Sequence, residues 1–191
     1  MGCVARNLAS PVERLSDDVL PVDAFQAALT IWPLPRPELP WRCVSDPWAL
    51  LCAEVMLQQT PVSRVEPRFG DWRGRYPTPV SLARAPLREV LKWWSGMGYP
   101  RRAANLHRAA QQIVGEHGGR VPDDLLALLA LAGVGRYTAR AVLSFAFNRR
   151  VGVLDTNVGR VLARVAGETL AHSRAQELAD LLVPEIAPGL W

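Results

Sequence analysis

The sequence predicts an all-α fold, and three observations support that prediction. Apolar residues recur with a period of about 3.6 residues, most clearly between residues 101 and 117. Prolines, glycines and capping residues divide the chain into segments of helical length. Only Val151, Val153 and Leu154 suggest an extended segment, so the strand signal is too weak to indicate a sheet.

Each predicted helix is bounded by residues that cap or break helices. The predicted helices cover residues 23–32, 47–60, 62–72, 86–94, 101–117, 122–131, 136–147 and 156–165. Ser45 or Asp46 can cap the second of them, which has Pro47 at its first position. Pro77 and Pro79 indicate a turn before the helix at 86–94.

Composition limits the classes of protein that the chain can represent. The 191 residues are 49% hydrophobic and carry a net charge of +4, and Lys92 is the only lysine among 22 basic residues. A cationic surface favours a polyanionic partner, because each cation near a phosphate releases counterions. No apolar run reaches the roughly 18 residues that span a bilayer. We therefore expect a soluble intracellular protein that uses no membrane.

The cysteines give no sign of a metal site. Cys3, Cys43 and Cys52 form no CxxC pair. Their odd number and wide spacing argue against a disulfide framework and against a four-thiolate site built from this chain alone. Cys52 lies in an apolar segment and is expected in the core.

Residues 125–147 predict two helices joined by a glycine-rich hairpin. Gly133 and Gly135 both permit positive φ and a close backbone approach. Amides of the hairpin and of the next helix's first turn can then bind an anion, with Arg136 and Arg140 adding charge. A DNA phosphate suits such a site. The alternative is a tight turn that binds nothing.

Two carboxyls stand out from their local sequence. Glu54 has apolar neighbours on every side, so it lies either on a narrow polar stripe or in a poorly hydrated pocket. In a pocket its pKa would rise, which suits a general acid. Asp155 precedes the last predicted helix, where most Asp residues are simple N-caps. An N-cap can also direct one oxygen into a cleft.

Several motifs, in order along residues 25–185, resemble adenine DNA glycosylases of the helix-hairpin-helix superfamily, which also includes endonuclease III. They are LPWR at 39–42, AEVMLQQTPV at 53–62, GMGY at 96–99, NLHRAAQQIV at 105–114, AGVGRYTARAV at 132–142 and VLDTNVGRVLAR at 153–164. The chain departs from the pattern at Ala132, where a proline is usual, at Pro100 and at Gly159.

The resemblance implies a fold, a reaction and roles for four residues. It implies a six-helix barrel domain with a second helical domain, and cleavage of the N-glycosidic bond of adenine opposite 8-oxoguanine or guanine. Glu54 would protonate adenine and help to activate water, and Asp155 would stabilise the positively charged sugar. Tyr137 and Asn157 would support these carboxylates.

One position separates two subfamilies. Related glycosylase/lyases carry a Schiff-base lysine two residues after the hairpin's second glycine, where this chain has Tyr137. Tyrosine cannot form an imine with an abasic sugar. We therefore expect a monofunctional enzyme.

The resemblance also implies which residues contact double-stranded DNA. A flipped-out base leaves a gap that side chains must fill, and the hairpin would grip a phosphate. The residues expected to bind DNA are Gly133, Val134, Gly135, Arg136, Thr138, Gln59, Tyr99, Leu57 and Arg42.

The expected domains are an N-terminal arm with a first helix (1–40), a barrel domain (41–150) and the start of a second helical domain (151–191). In relatives, four cysteines for a [4Fe-4S] cluster follow the point at which this sequence ends. We therefore expect no iron–sulfur loop, and no metal or cofactor ligated by this chain, unless those cysteines are restored. We also expect a truncated, monomeric, bacterial cytoplasmic protein associated with the nucleoid, whose stability, DNA affinity and lesion discrimination are impaired.

Two alternatives to adenine excision stay open. The first is a glycosylase for another mispaired base, such as uracil or thymine opposite guanine. The second is a non-catalytic remnant that binds DNA only through its hairpin.

Overall fold

The computed structural model describes residue 27, residues 39–42 and residues 44–184, and these residues form helices and turns without a strand. The helices are α1 (Pro47–Leu57), α2 (Val62–Arg75), α3 (Pro79–Arg84), α4 (Leu87–Trp94), α5 (Pro100–Glu116), α6 (Leu125–Ala130), α7 (Arg136–Phe145), α8 (Thr156–Ala166) and α9 (His172–Leu182). The all-α prediction is thereby confirmed. Apart from Ala27, which is helical, the helix predicted at 23–32 lies outside the described residues.

Helices α1 to α7 surround one large hydrophobic core. Residues 48–56 of α1 are all buried, as expected for a helix that is apolar on every side. Helix α1 packs against α2, α5 and α7, while α5 also packs against α3 and α4. The central position of α1 carries the Glu54 side chain into the barrel.

Helices α8 and α9 pack together around a second, smaller core. Its buried members are Leu154, Leu162, Ala175, Leu178, Ala179 and Leu182. Val151 still packs against the barrel core, whereas Leu154 belongs to the second core. The change between the two cores falls between these two residues, and the expected division into 1–40, 41–150 and 151–191 stays a prediction.

A tight joint connects the second core to the barrel. The Gly152 amide donates to Asp180 Oδ1 at 2.7 Å, and Arg140 on α7 donates to both carboxylate oxygens of Asp180 at 2.5 and 3.1 Å. Arg140 also donates to the Gly152 carbonyl at 3.1 Å. The expectation that Arg140 adds charge to the hairpin is therefore wrong, because its guanidinium is engaged at this joint.

The structure corrects three other expectations about helices. Helix α3 replaces the predicted turn, and a capping box between Thr78 and Ser81 stabilises its start. Helix α9 was not predicted from the sequence. Helix α1 ends at Leu57 rather than at Thr60. Each described helix is too short or too polar to cross a membrane.

Candidate active site

Glu54 lies on helix α1, whose start is stabilised by a capping side chain and a proline. The Asp46 side chain caps α1 by accepting from the Trp48 amide at 3.1 Å, and Pro47 occupies the first turn. Glu54 follows two turns later and is only 4% exposed. Of the two environments expected from the sequence, the structure shows the poorly hydrated pocket.

Burial controls the protonation of this carboxyl. It raises the pKa of Glu54 above the ordinary value, and the nearby Arg42 charge and a hydrogen bond with Tyr137 oppose that rise. Burial, together with the charges of Glu54 and Asp155, raises the pKa of Tyr137 to about 12. The phenol therefore keeps its proton and can donate to the Glu54 carboxyl. The arrangement favours a protonated acid at position 54.

Asp155 is held differently, at the start of α8. Its Oδ1 accepts from the Val158 amide at 2.7 Å as an N-cap, and its Oδ2 accepts from Asn157 Nδ2 at 3.2 Å. Arg160 donates to Asn157 Oδ1 at 2.8 Å, which turns the amide nitrogen of Asn157 toward Asp155. These donors and the helix N-terminus favour a fixed carboxylate.

One cleft of about 740 Å³ brings the two carboxyls together. Glu54, Tyr137 and Asp155 all line it, and its volume falls within the range of small-molecule sites. Arg42, Leu57, Gln58, Leu154, Gly159 and His172 are among the other residues of its wall. The cleft lies between the barrel and the α8–α9 pair, and it is large enough for a nucleobase.

The hairpin adjoins this cleft through the first turn of α7, which contains Tyr137. Gly133 has φ +79°, and a Cβ there would lie 2.7 Å from the Asn105 Cβ, so this position requires glycine. Gly135 has φ −92°, so of the two glycines only Gly133 uses the positive φ that both permit. No side chain caps α7, and Gly135 and Arg136 are exposed. The amides of this turn are therefore free of a side-chain cap.

Two of the residues expected to bind DNA through the hairpin are buried. Val134 is 7% exposed and Thr138 is 2% exposed. Thr138 Oγ1 accepts from Gln58 Nε2 at 3.3 Å, and the same amide group donates to the Gly133 carbonyl at 3.5 Å. The Thr138 hydroxyl thus joins the hairpin to the end of α1, and DNA binding at this residue stays a prediction.

The other residues expected to bind DNA lie on the surface or in the wall of the cleft. Gln59 is exposed, and Tyr99 is 59% exposed. Leu57 is partly buried in the wall of the cleft. The Arg42 guanidinium lies 4.2 Å from the centroid of the Phe145 ring, while its neighbour Trp41 is fully buried.

The sequence interpretation missed several residues of this site. The sequence indicated no role for Gln58, yet its side chain supports the hairpin. Arg160 orients Asn157, and His172 lies in the cleft wall at the start of an unpredicted helix. A signal existed for Arg160 alone, because it follows Asn157 by three residues on a predicted helix.

The described residues do not form a site for an iron–sulfur cluster or a metal ion. No group of three or more His, Cys, Asp or Glu side chains is placed to hold a metal in the described part of the chain. Cys52 is buried in the barrel core, where burial raises the pKa of its thiol. A protonated, buried thiol is not a ligand for such a cluster.

Fold and site together define a helix-hairpin-helix protein with paired carboxyls in one cleft. Residues 52–184 match the model of the HhH-GPD superfamily base excision DNA repair proteins, and the chain belongs to that family. The expected membership is thereby confirmed.

Among curated relatives, an adenine DNA glycosylase of Mycobacterium tuberculosis is 50% identical over 149 residues, which are 76% of this chain and 49% of that protein. The human adenine DNA glycosylase is 39% identical over 90% of this chain and 34% of its own length. The chain thus spans about half or less of the length of these relatives.

Two further similarities concern related glycosylases. A thymine/uracil-DNA glycosylase of Methanothermobacter thermautotrophicus is 33% identical over 82% of this chain and 73% of that protein. The solved structure of a thermostable thymine-DNA glycosylase superposes with a TM-score of 0.80 and 30% identity, covering 88% of this chain and 83% of the other. An endonuclease III–DNA complex, with a TM-score of 0.65 and 23% identity over 85% of this chain and 83% of the other, shares the fold.

Proposed function

We propose that this chain is a monofunctional DNA glycosylase that hydrolyses the N-glycosidic bond of adenine paired with 8-oxoguanine or guanine. The observation that carries the proposal is the cleft in which buried Glu54 and N-capping Asp155 meet beside the hairpin. The similarity to adenine DNA glycosylases supports the choice of base. The proposed enzyme is a monomer that acts on bacterial nucleoid DNA.

The two carboxyls can divide the reaction between them. Protonated Glu54 gives its proton to a ring nitrogen of adenine while the bond between the base and C1′ breaks, and the bonding electrons leave with the base. Positive charge then develops on the sugar, and ionised Asp155 stabilises it. Water adds at C1′ and returns its proton to Glu54, which restores the acid.

Tyr137 and Asn157 support the carboxyls without taking part in bond making. The hydrogen bond between Tyr137 and Glu54 orients the acid, and Asn157 fixes one oxygen of Asp155. The only lysine of the chain, Lys92, lies on α4 and is not among the residues that line the cleft. This favours hydrolysis by water over an imine intermediate.

The hairpin supplies a grip on the DNA backbone. The amides at the start of α7 have no side-chain cap, and the partial positive charge of a helix N-terminus attracts phosphate. Arg136 is exposed in that first turn. A phosphate bound there would anchor the duplex beside the cleft.

The experiment incubates the purified chain with duplex that contains adenine opposite 8-oxoguanine, under single-turnover conditions. Adenine release that Glu54→Gln abolishes supports the proposal, and little adduct should be trapped by borohydride. Efficient trapping would overturn the monofunctional assignment. Tight binding without any base release would instead favour a non-catalytic DNA-binding role.

A second candidate substrate is thymine or uracil opposite guanine. It is favoured by the similarity to the thymine/uracil-DNA glycosylase, of which the chain covers 73%. Parallel duplexes that carry adenine, thymine or uracil distinguish the two candidates. Faster release of thymine or uracil than of adenine would replace the first proposal with the second.

A further inference from the structure

A buried arginine at the start of α5 connects the end of α1 to the loop that precedes α5. Arg102 is only 8% exposed. Its Nη1 donates to the carbonyls of Val55, Met56 and Gln58 at 3.0, 2.9 and 2.5 Å. Its Nη2 donates to Thr60 Oγ1 and to the carbonyls of Met97 and Gly98 at 2.8, 2.8 and 3.2 Å. One guanidinium therefore binds residues 55–60 and residues 97–98 together.

The first set of acceptors lies at the end of α1. The last carbonyls of a helix have no partner within the helix, and a positive charge is favourable there. Arg102 supplies both donors and charge at this end. The second set lies in the loop before α5, where Trp94 Nε1 also donates to the Gly98 carbonyl at 3.0 Å. The same side chain thus fixes how far the end of α1 lies from this loop.

Each connected segment presents a residue in an unusual backbone conformation. Gln59 has φ +54° and Tyr99 has φ +45°. Residues other than glycine seldom adopt positive φ, and such strain persists only where the surrounding structure enforces it. Both residues are exposed, and each adjoins a carbonyl that Arg102 binds.

Two aromatic rings also contact the guanidinium of Arg102. Its guanidinium carbon lies 5.4 Å from the centroid of the Trp94 ring and 5.6 Å from that of the Tyr99 ring. Its buried Nε has no hydrogen-bond partner in the described structure. The guanidinium is thus oriented toward the two loops, although this leaves one of its own donors unsatisfied.

We infer that Arg102 is a positioning residue that holds Gln59 and Tyr99 as one rigid wedge for the gap left when a base is extruded from duplex DNA. This inference rests on the proposed function. A wedge must keep its shape while the duplex resists, because extrusion costs free energy. A wedge whose two segments are bound by one guanidinium keeps its shape better than two side chains that are held independently.

The test compares two substrates that differ in the work of extrusion. The first is duplex with adenine opposite 8-oxoguanine, and the second is duplex with the same adenine as an unpaired bulge. Arg102→Lys keeps the charge but loses the planar fork that reaches both loops. We expect single-turnover excision from the paired duplex to fall about 100-fold and excision from the bulge to stay close to the wild-type rate.

Two further variants separate positioning from general loss of stability. Thr60→Val removes the hydroxyl that Arg102 Nη2 binds and is close in shape, so it serves if Arg102→Lys does not fold. Arg68→Met is the matched control, because Arg68 also donates to main-chain carbonyls, those of Trp93 and Ser95, outside the proposed wedge. The control should lower the melting temperature while the ratio of the two excision rates stays unchanged.

A second readout keeps this inference distinct from the proposed function. In a Glu54→Gln background, 2-aminopurine in place of adenine reports extrusion by fluorescence without excision. The proposed function fails, and the inference about the wedge stands, if two results are found together. The chain extrudes 2-aminopurine, and the wild-type chain releases no adenine from either substrate. Equal loss on both substrates, or unchanged extrusion in folded Arg102→Lys, would overturn the inference.

Discussion

The two walls of the cleft hold the same chemical group in opposite ways. Glu54 lies inside the barrel, where burial favours the neutral acid. Asp155 lies at the start of α8, where an amide of the helix and the Asn157 side chain donate to its oxygens. Burial thus favours a proton on Glu54, whereas two donors fix the position of the Asp155 carboxyl.

The comparison extends to the cores behind each wall. The barrel core extends from Trp41 to Leu143, while the second core consists of six buried residues between α8 and α9. The two walls therefore belong to different cores. Their relative position depends on the joint at Gly152, Arg140 and Asp180, so catalysis can be lost without damage to either carboxyl.

The largest effect is expected for a variant of Glu54, the proposed acid in the barrel wall of the cleft. Glu54→Gln keeps the shape of the side chain and removes its proton-donating ability. We expect single-turnover excision of adenine to fall about 1,000-fold, as for the loss of a general acid. Binding to the same duplex, measured by fluorescence anisotropy, should change little. A variant that retains more than a tenth of the wild-type rate would contradict the assignment.

Asp155→Asn tests the opposite wall. Asparagine caps helices about as well as aspartate, so α8 should persist while the negative charge is lost. We expect the excision rate to fall about 100-fold and the melting temperature to change little. The matched control is Asp124→Asn, since Asp124 caps α6 by accepting from the Ala127 amide at 2.9 Å. If both variants lose the same activity, Asp155 acts only as a cap.

Gly152→Ala tests the joint between the walls. A Cβ at this position would lie 2.4 Å from the carbonyl carbon of Ala179, so α9 must shift. We expect excision to slow about tenfold through misalignment, together with a lower melting temperature. Gly115→Ala is the control, because nothing lies within 4 Å of the corresponding Cβ. An unchanged rate in Gly152→Ala would show that the walls are aligned by other contacts.

Arg42→Ala tests how the charge of Arg42 affects the protonation of Glu54. Its expected effect is the smallest of the four variants. The Arg42 charge lowers the pKa of Glu54, so its removal raises that pKa further. Excision requires protonated Glu54, and the rate therefore falls as pH rises through this pKa. The alkaline limb of the single-turnover pH profile should move to higher pH. Arg149→Ala, which breaks an exposed pair with Asp123, should leave the limb in place. A limb that moves to lower pH would reverse the electrostatic argument.

Much of the fold followed from local sequence signals. The start of α1 at Asp46-Pro47, the hairpin and the cap of α8 at Asp155 are each encoded by neighbouring residues. Helix α9 was missed because its N-cap position is Ala171, which supplies no capping side chain. Helix α3 was missed because it has only six residues, and Pro77 and Pro79 at its start also suit a turn.

The site was predicted less completely, for a physical reason. Carboxyls, glycines and tyrosine can be proposed from chemistry and resemblance. Partners that join distant segments, such as Gln58 with Thr138 or Arg140 with Asp180, depend on tertiary packing that no local pattern encodes. Arg102 looks like one of many arginines in the sequence, and only its acceptors distinguish it.

The protonation state of Glu54 is the most direct test of the central claim. Glutamate labelled with ¹³C at the side-chain carboxyl gives one resonance for each residue, and Glu54→Gln identifies the resonance of position 54. We expect that resonance to titrate above the ordinary glutamate value of 4.5, and to move to still higher pH in Arg42→Ala. Titration at or below the ordinary value would contradict the account, because Glu54 would then lack the proton that the proposed acid must donate.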